Sequence, residues 1–157
     1  MDETTRSIIE KITVTFPKPI RIPTGQVCSI FYDTFQLSPN DLARLAALAV
    51  GHLHHDDFDA AVGLSYSGIL FAAAVAGGRH VTILQKDGRF FGPDLKGKKV
   101  VIVDDVVHTG GRLRDAATKV ASEGGTVVGY ACIVDRSGAN TLTLSNPLWS
   151  SYQSEME

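Results

Sequence analysis

The sequence predicts an α/β fold with a mainly parallel central sheet and helices on both faces. Three observations carry that expectation. Short apolar runs alternate with helix-like stretches through the middle of the chain. The run KVVIVD, Lys99–Asp104, is apolar through its centre, as strands covered on both faces are. Glycine pairs at Gly77-Gly78 and Gly124-Gly125 close the helical stretches before the next apolar run begins.

The elements follow in order. Glu3–Ile12 reads as a short amphipathic helix. Residues 17–25, PKPIRIPTG, hold three prolines and a glycine and read as a break in regular structure. VCSIFYDTF, residues 27–35, is β-branched and aromatic and reads as a strand. Ser38-Pro39-Asn40-Asp41 has the makings of a helix start: a serine cap, a proline at the first position and an acid in the first turn. Leu42, Leu45, Ala46, Ala49 and Leu53 then share one helical face. Ala60–Leu64 is expected as a strand, Gly68–Ala76 as a helix, and His80–Gln85 and Lys99–Asp104 as further strands. Leu113, Ala116, Ala117, Val120 and Ala121 make a helical stripe, and Thr126–Val134 a last strand. The polar tail SSYQSEME is expected to fray or to dock at Tyr152, with Trp149 packing against it. No repeat or linker divides the chain, so residues 1–157 are expected to form one domain.

Composition narrows the function. The 157 residues are 44% hydrophobic and 20% charged, an ordinary globular balance with enough chain for a substantial core. A net charge of −2 gives no reason to expect a nucleic-acid or anionic-membrane partner. The start, MDETTRS, is acidic and polar, unlike a secretory or transit peptide. Ile69–Ala76, the most apolar stretch, is too short to span a bilayer, so a cytoplasmic protein is expected. Cys28 and Cys132 stand far apart and read as reduced thiols. HLHHDDFDA, residues 52–60, places His52 and His55 three apart, but helix-end histidines and loop acids explain it without a metal.

Chemistry concentrates in VVIVDDVVHTGGRL, Val100–Leu113. A buried strand ends in Asp104-Asp105, and Thr109, Gly110 and Gly111 stand just before a helix. In parallel α/β sheets, ligands bind beyond the carboxyl ends of the strands. Backbone N–H groups of a glycine loop and a helix amino end form an anion site, and glycine lets a phosphate come close. Adjacent carboxylates repel phosphate but accept hydrogen bonds from vicinal hydroxyls. The stretch therefore suits a ligand with a phosphate at one end and a diol beside it, such as a ribose 5-phosphate. A P-loop is excluded because no GK[ST] follows a glycine loop. A receiver-type phosphoacceptor site would need its acid pair near the amino terminus and a lysine well downstream, and too little chain follows Asp105 to supply one.

The same stretch resembles the binding motif for 5-phosphoribosyl-1-diphosphate (PRPP) of type I phosphoribosyltransferases. Only His108 stands where a small residue is usual. The resemblance implies that Asp104 and Asp105 hold the ribose hydroxyls. It also implies that Val106, Val107, His108, Thr109, Gly110, Gly111 and Arg112 form the loop around the 5′-phosphate. Other segments resemble the orotate branch. TGQVCSIFYD, residues 24–33, is similar to a segment near the base pocket and implies base contacts for Phe31 and Tyr32. GLSYSGILFAAAVA, residues 63–76, is similar to a diphosphate-contacting loop and implies that role for Tyr66, Ser67 and Gly68. QKDGRFFG, residues 85–92, is similar to the catalytic-loop segment and puts Lys86 and Arg89 in catalytic positions. VDRSG, residues 134–138, implies that Arg136 holds the base.

Departures accompany these likenesses. Ser67 stands where a diphosphate-binding lysine is usual, Gln85 replaces an arginine, Arg89 a lysine and Phe91 a histidine, and Val27 stands where many members carry a cation. FGPDLKG, residues 91–97, is also short for a loop that closes over a site. The family resemblance implies a type I fold with a small hood from the N-terminal region. It further implies a homodimer, and Mg²⁺ as cofactor, held mainly by PRPP with no side-chain ligand required. The expected reaction joins PRPP and a nucleobase, orotate before others. The alternatives are transfer to a different base, or a PRPP-binding regulatory protein with little turnover.

Overall fold

The structure is a computed structural model that describes residues 1–21, 25, 27–138 and 144–154. Part of the proline-glycine segment (22–24), residues 139–143 and the last residues of the tail (155–157) lie outside it, as do Thr24 and Gln26 of the base-pocket segment.

Helix α1 spans Glu3–Ile12 and starts where the Asp2 carboxylate accepts the Thr5 backbone N–H. Strands β1 (Thr13–Arg21) and β2 (Val27–Tyr32) follow as an antiparallel ribbon separate from the main sheet. A short 3-10 turn, Thr34–Gln36, leads to helix α2, Pro39–Val50. Ser38 and Asp41 form the expected capping box there. Strand β3 (Ala60–Leu64), helix α3 (Ile69–Ala76), strand β4 (His80–Leu84) and the short β5 (Phe90–Phe91) come next. Then follow β6 (Lys99–Val103), β7 (Val106–Val107), α4 (Gly111–Ser122), β8 (Thr126–Asp135) and β9 (Leu148–Gln153).

Strands β4, β3, β6 and β8 lie side by side and parallel, with β5 antiparallel at the β4 edge and β7 and β9 parallel to β8. Side chains alternate across β3 and β6 and so feed two cores. Ala61, Val101 and Val103 pack with α1, α2 and α3. Ala60, Val62, Val100 and Ile102 pack with Leu113, Ala116 and Val120 of α4. Helices therefore cover both faces, as the apolar strand runs predict. Among the described residues no helix is long and apolar enough to cross a membrane.

Three local expectations are corrected. Residues 17–21 are not a break: they complete β1. Proline survives there because the ribbon register jumps between Thr15 and Ile20, so Pro17 and Pro19 fall where no ladder N–H is required. Of the two expectations for the tail, fraying fails over Leu148–Gln153 and docking holds: the segment pairs with β8 as β9, and Tyr152 packs on the core edge to face with Tyr32. Trp149 packs against Gly129 of β8, where a Cβ would stand 2.0 Å from its ring, and meets His52 edge to face. Leu53 lies beyond the end of α2, although its side chain still packs on the core.

Candidate active site

The carboxyl ends of β3, β4 and β6 open into a cavity of about 580 Å³. Its floor is the acid pair. Asp104 follows β6 and is 2% exposed. Its Oδ1 accepts the Asp105 N–H at 2.9 Å, and its Oδ2 lies 3.3 Å from Arg112 Nη1. Burial, followed by the neighbouring Asp105 charge, pushes the Asp104 carboxyl up to about 7, with Arg112 pulling the other way.

Asp105 is held from several directions. Its Oδ1 accepts from the Ser67 hydroxyl at 2.9 Å and from the Val106 N–H at 2.7 Å. Its Oδ2 accepts from the Thr34 hydroxyl at 2.8 Å. The acid is thus tied both to the loop after β3 and to the turn after the β1–β2 ribbon.

The glycine loop behaves as its composition predicts. Gly110 adopts φ +84°, a left-handed conformation that favours glycine, and α4 starts directly after it. N-cap Gly110 has no side chain to cap the helix, no acid occupies the first turn, and Gly110, Gly111 and Arg112 line the cavity, so this helix start suits an anion. Thr109 is exposed, and its hydroxyl accepts the Gly111 N–H at 3.3 Å while keeping its own proton to donate. His108 is partly buried in the cavity wall. Burial, and then the Arg136 charge, lower its pKa, which favours the neutral ring.

Close packing sets the opposite wall. A Cβ on Gly68 would stand 2.7 Å from the Val103 carbonyl oxygen and 3.0 Å from the Asp104 Cα, so only glycine lets this loop lie against the acid strand. The Ser65–Tyr66 peptide is cis. Tyr66 is 70% exposed, with the Lys86 ammonium 5.7 Å from its ring. A smaller cavity of about 260 Å³ adjoins here, lined by Phe35, Ser65, Tyr66, Ser67, Lys86 and Arg112.

The ribbon forms a hood. Phe31 is 47% exposed and lines the main cavity; Tyr32, its neighbour on the other face, is 5% exposed and packs in the core with its edge at the cavity. Arg136 follows β8, and its Nη1 donates to the Ile30 carbonyl at 2.8 Å. Its guanidinium lies 5.4 Å from the Tyr32 ring. Its backbone N–H donates to the Val107 carbonyl at 2.8 Å, so it joins the hood to the loop after Asp105.

Most residues singled out in the sequence meet at these two cavities: Asp104 to Arg112, Ser67, Lys86, Phe31, Tyr32 and Arg136 at the larger, Tyr66 at the smaller. Gly68 stands behind the wall. Arg89 is not brought to the cavity. Its side chain is 70% exposed, pairs with Asp87 at 2.7 Å and lies 5.5 Å from the Phe91 ring. The segment carrying it is a tight hairpin, with Gln85 donating to the Arg89 carbonyl and β5 laid on β4. Sequence reasoning missed Thr34, Phe35, Ser65 and Lys119. Lys119 had a signal, since it lies seven residues after Arg112 on the same helix face. Thr34 and Phe35 had none beyond following Phe31-Tyr32-Asp33.

Comparison with known proteins agrees with this geometry. The sequence model of the phosphoribosyl transferase domain matches residues 85–145. An orotate phosphoribosyltransferase of a Nocardioides species is 31% identical over 134 residues, covering 78% of this chain and 74% of its own length. The Mycobacterium tuberculosis orotate phosphoribosyltransferase, solved in complex with PRPP, superposes with a TM-score of 0.73 at 20% identity, over 96% of this chain and 94% of that one. Leishmania donovani UMP synthase gives a TM-score of 0.79 at 22% identity, over 96% of this chain but 36% of its own. With sequence identity across most of a relative and the same fold around an acid pair and an open helix start, the chain belongs to the type I phosphoribosyltransferase family, nearest to its orotate-type members.

Proposed function

We propose that this chain transfers ribose 5-phosphate from PRPP to orotate, giving orotidine 5′-phosphate and pyrophosphate. The observation that carries the reading is the placement of Asp104 and Asp105 under a cavity whose next wall is the open start of α4. The carboxylates accept the ribose hydroxyls, and the amides of Thr109 to Gly111 hold the 5′-phosphate. Lys86 and the Tyr66–Gly68 loop face the diphosphate. Phe31, with Tyr32 behind it, packs on the base, and Arg136 supplies the cation for the base carboxylate. The base attacks C1 of the ribose as the C1–O bond to diphosphate breaks, so preorganised cations at the diphosphate lower the barrier.

Mg²⁺ suits this donor set. It takes hard oxygen ligands and keeps several from substrate or water. The oxygens of Asp105 are already engaged by Ser67, Thr34 and Val106, and the Asp104 Oδ2 faces Arg112, so PRPP would supply most of the ligands. When bound, the ion neutralises charge on the departing diphosphate. Arg89, outside the cavity wall, would meet substrate only in a homodimer that brings it to a neighbouring subunit's site. We read residues 1–157 as one catalytic domain of a cytoplasmic enzyme.

A second reading has its own observation. The hairpin at residues 85–91 is closed by backbone hydrogen bonds and offers no long lid. A PRPP-binding protein with little turnover would look the same. The deciding experiment is pyrophosphate release from PRPP and Mg²⁺, with orotate and then with a panel of other bases. Orotate-dependent release supports the proposal. Release with another base replaces the substrate, and no release from folded protein that binds PRPP favours the second reading.

A further inference from the structure

The smaller cavity is an annex of the larger one: Phe35, Ser65, Ser67, Lys86 and Arg112 line both, whereas Asp104 and Asp105 line only the larger. None of the annex's six lining residues is acidic, and it holds two cations, Lys86 and Arg112, with the hydroxyl-bearing Ser65, Ser67 and Tyr66.

Arg112 enters this space by an unusual route. It lies at the start of α4, where its neighbours are placed to meet a phosphate at the helix end. Its side chain instead crosses to the loop after β3. Nη2 donates to the Ser65 carbonyl at 3.0 Å, and Nη1 lies 3.3 Å from the Asp104 carboxylate. These two contacts fix the plane of the guanidinium. Arginine has five N–H donors, so donors remain for a further anion, and the side chain is 51% exposed. The same loop offers no cation of its own, because Ser67 is neutral and its hydroxyl is committed to Asp105.

We propose that Arg112 binds the diphosphate of the ligand rather than its 5′-phosphate, in a subsite completed by Lys86 and the loop Ser65–Ser67. This deepens the phosphoribosyltransferase reading and rests on it for the identity of the ligand. The position has an electrostatic consequence. The guanidinium stands between the buried Asp104 charge and the incoming diphosphate, so the acid that accepts a ribose hydroxyl does not repel the leaving group beside it.

Separate probes for the two ends test the proposal. Binding of pyrophosphate with Mg²⁺, and of ribose 5-phosphate alone, would be measured by calorimetry for the wild type, Arg112→Met and Arg112→Lys, with circular dichroism confirming the fold of each. The expected result is a loss of at least tenfold in pyrophosphate affinity for Arg112→Met. Arg112→Lys should recover part of it, since it keeps charge but not the forked geometry. Ribose 5-phosphate affinity should stay within about twofold. Equal loss for both probes would place Arg112 in the phosphate loop and overturn the proposal, as would unchanged pyrophosphate affinity. Neither probe involves a base, so a wild type that binds both and turns over no orotate would sink the orotate assignment while leaving this one standing.

Discussion

Asp104 offers a prediction in which stability and function pull in opposite directions. Its carboxyl is raised from 3.8 to about 7 by burial and by Asp105. The folded state therefore binds this proton more tightly than the unfolded chain does. In the linkage relation, stability then falls as pH rises between the two values. At 1.36 kcal/mol per unit, ionising Asp104 costs the folded protein about 4 kcal/mol well above pH 7. Most of it, about 3 kcal/mol, is lost between roughly pH 5 and pH 8.5, because some is already gone at pH 5.

Asp104→Asn removes that titration while keeping the shape. The variant also leaves Arg112 without its carboxylate, a cost that hardly changes with pH. Absolute stabilities therefore mix two effects, and their pH dependence isolates one. Urea unfolding of both proteins at about pH 5 and about pH 8.5 should show the variant gaining about 3 kcal/mol on the wild type across that interval. PRPP affinity of the wild type should rise through about pH 7, as the carboxylate becomes able to accept a hydroxyl proton, and the Asp104→Asn variant should bind PRPP poorly at every pH. Parallel pH profiles of stability for the two proteins would refute the raised pKa and the burial argument behind it.

Other consequences follow from single contacts. Thr34→Val keeps the shape but removes the donor to Asp105, so PRPP affinity should drop about tenfold and stability by roughly 1–2 kcal/mol; calorimetry and urea unfolding measure both, and unchanged affinity would free Asp105 of its tether. Gly68→Ala pushes a methyl against the Val103 and Leu64 carbonyls and should cost about 1–3 kcal/mol, read from the unfolding midpoint. Arg136→Met should raise the KM for orotate at least tenfold and leave that for PRPP nearly unchanged; an equal rise for PRPP would move Arg136 out of the base pocket.

How far the sequence could be read depended on whether the signal was local. β6 and the turn into α4 were legible because apolar runs, acids and glycines act where they stand: Gly110 needs its left-handed φ for reasons internal to the loop. β9 was not legible. Its sequence, LWSSYQ, lacks a clean alternation, and what makes it a strand is the edge of β8 and the contact of Trp149 with Gly129, a residue twenty positions earlier. β1 was hidden by two prolines, which a sheet tolerates only where the register slips, and no slip is visible until β2 is paired. The site divides the same way. The acid pair stood out, whereas Thr34 was silent, since its meaning lies in an oxygen of Asp105 seventy-one residues away.

The hairpin in place of a long loop changes what the rest of the site has to accomplish. A closing lid excludes water and brings charge to the reacting centre at the moment of reaction. Phe90 and Phe91 pair with β4, and backbone bonds close the turn from Gln85 to Arg89, so that route is narrow here. What remains is charge placed in advance. Ser67 and Thr34 hold Asp105, Arg112 is braced between Asp104 and Ser65, and α4 opens without a capping side chain. Groups fixed in this way need no reorganisation when substrate arrives. Their cost is borne by the fold, in the buried Asp104 carboxylate that folding disfavours above neutral pH. A site built from preset charge should therefore lose less stability than the wild type as pH rises when that charge is removed, and lose its ligand by the same change.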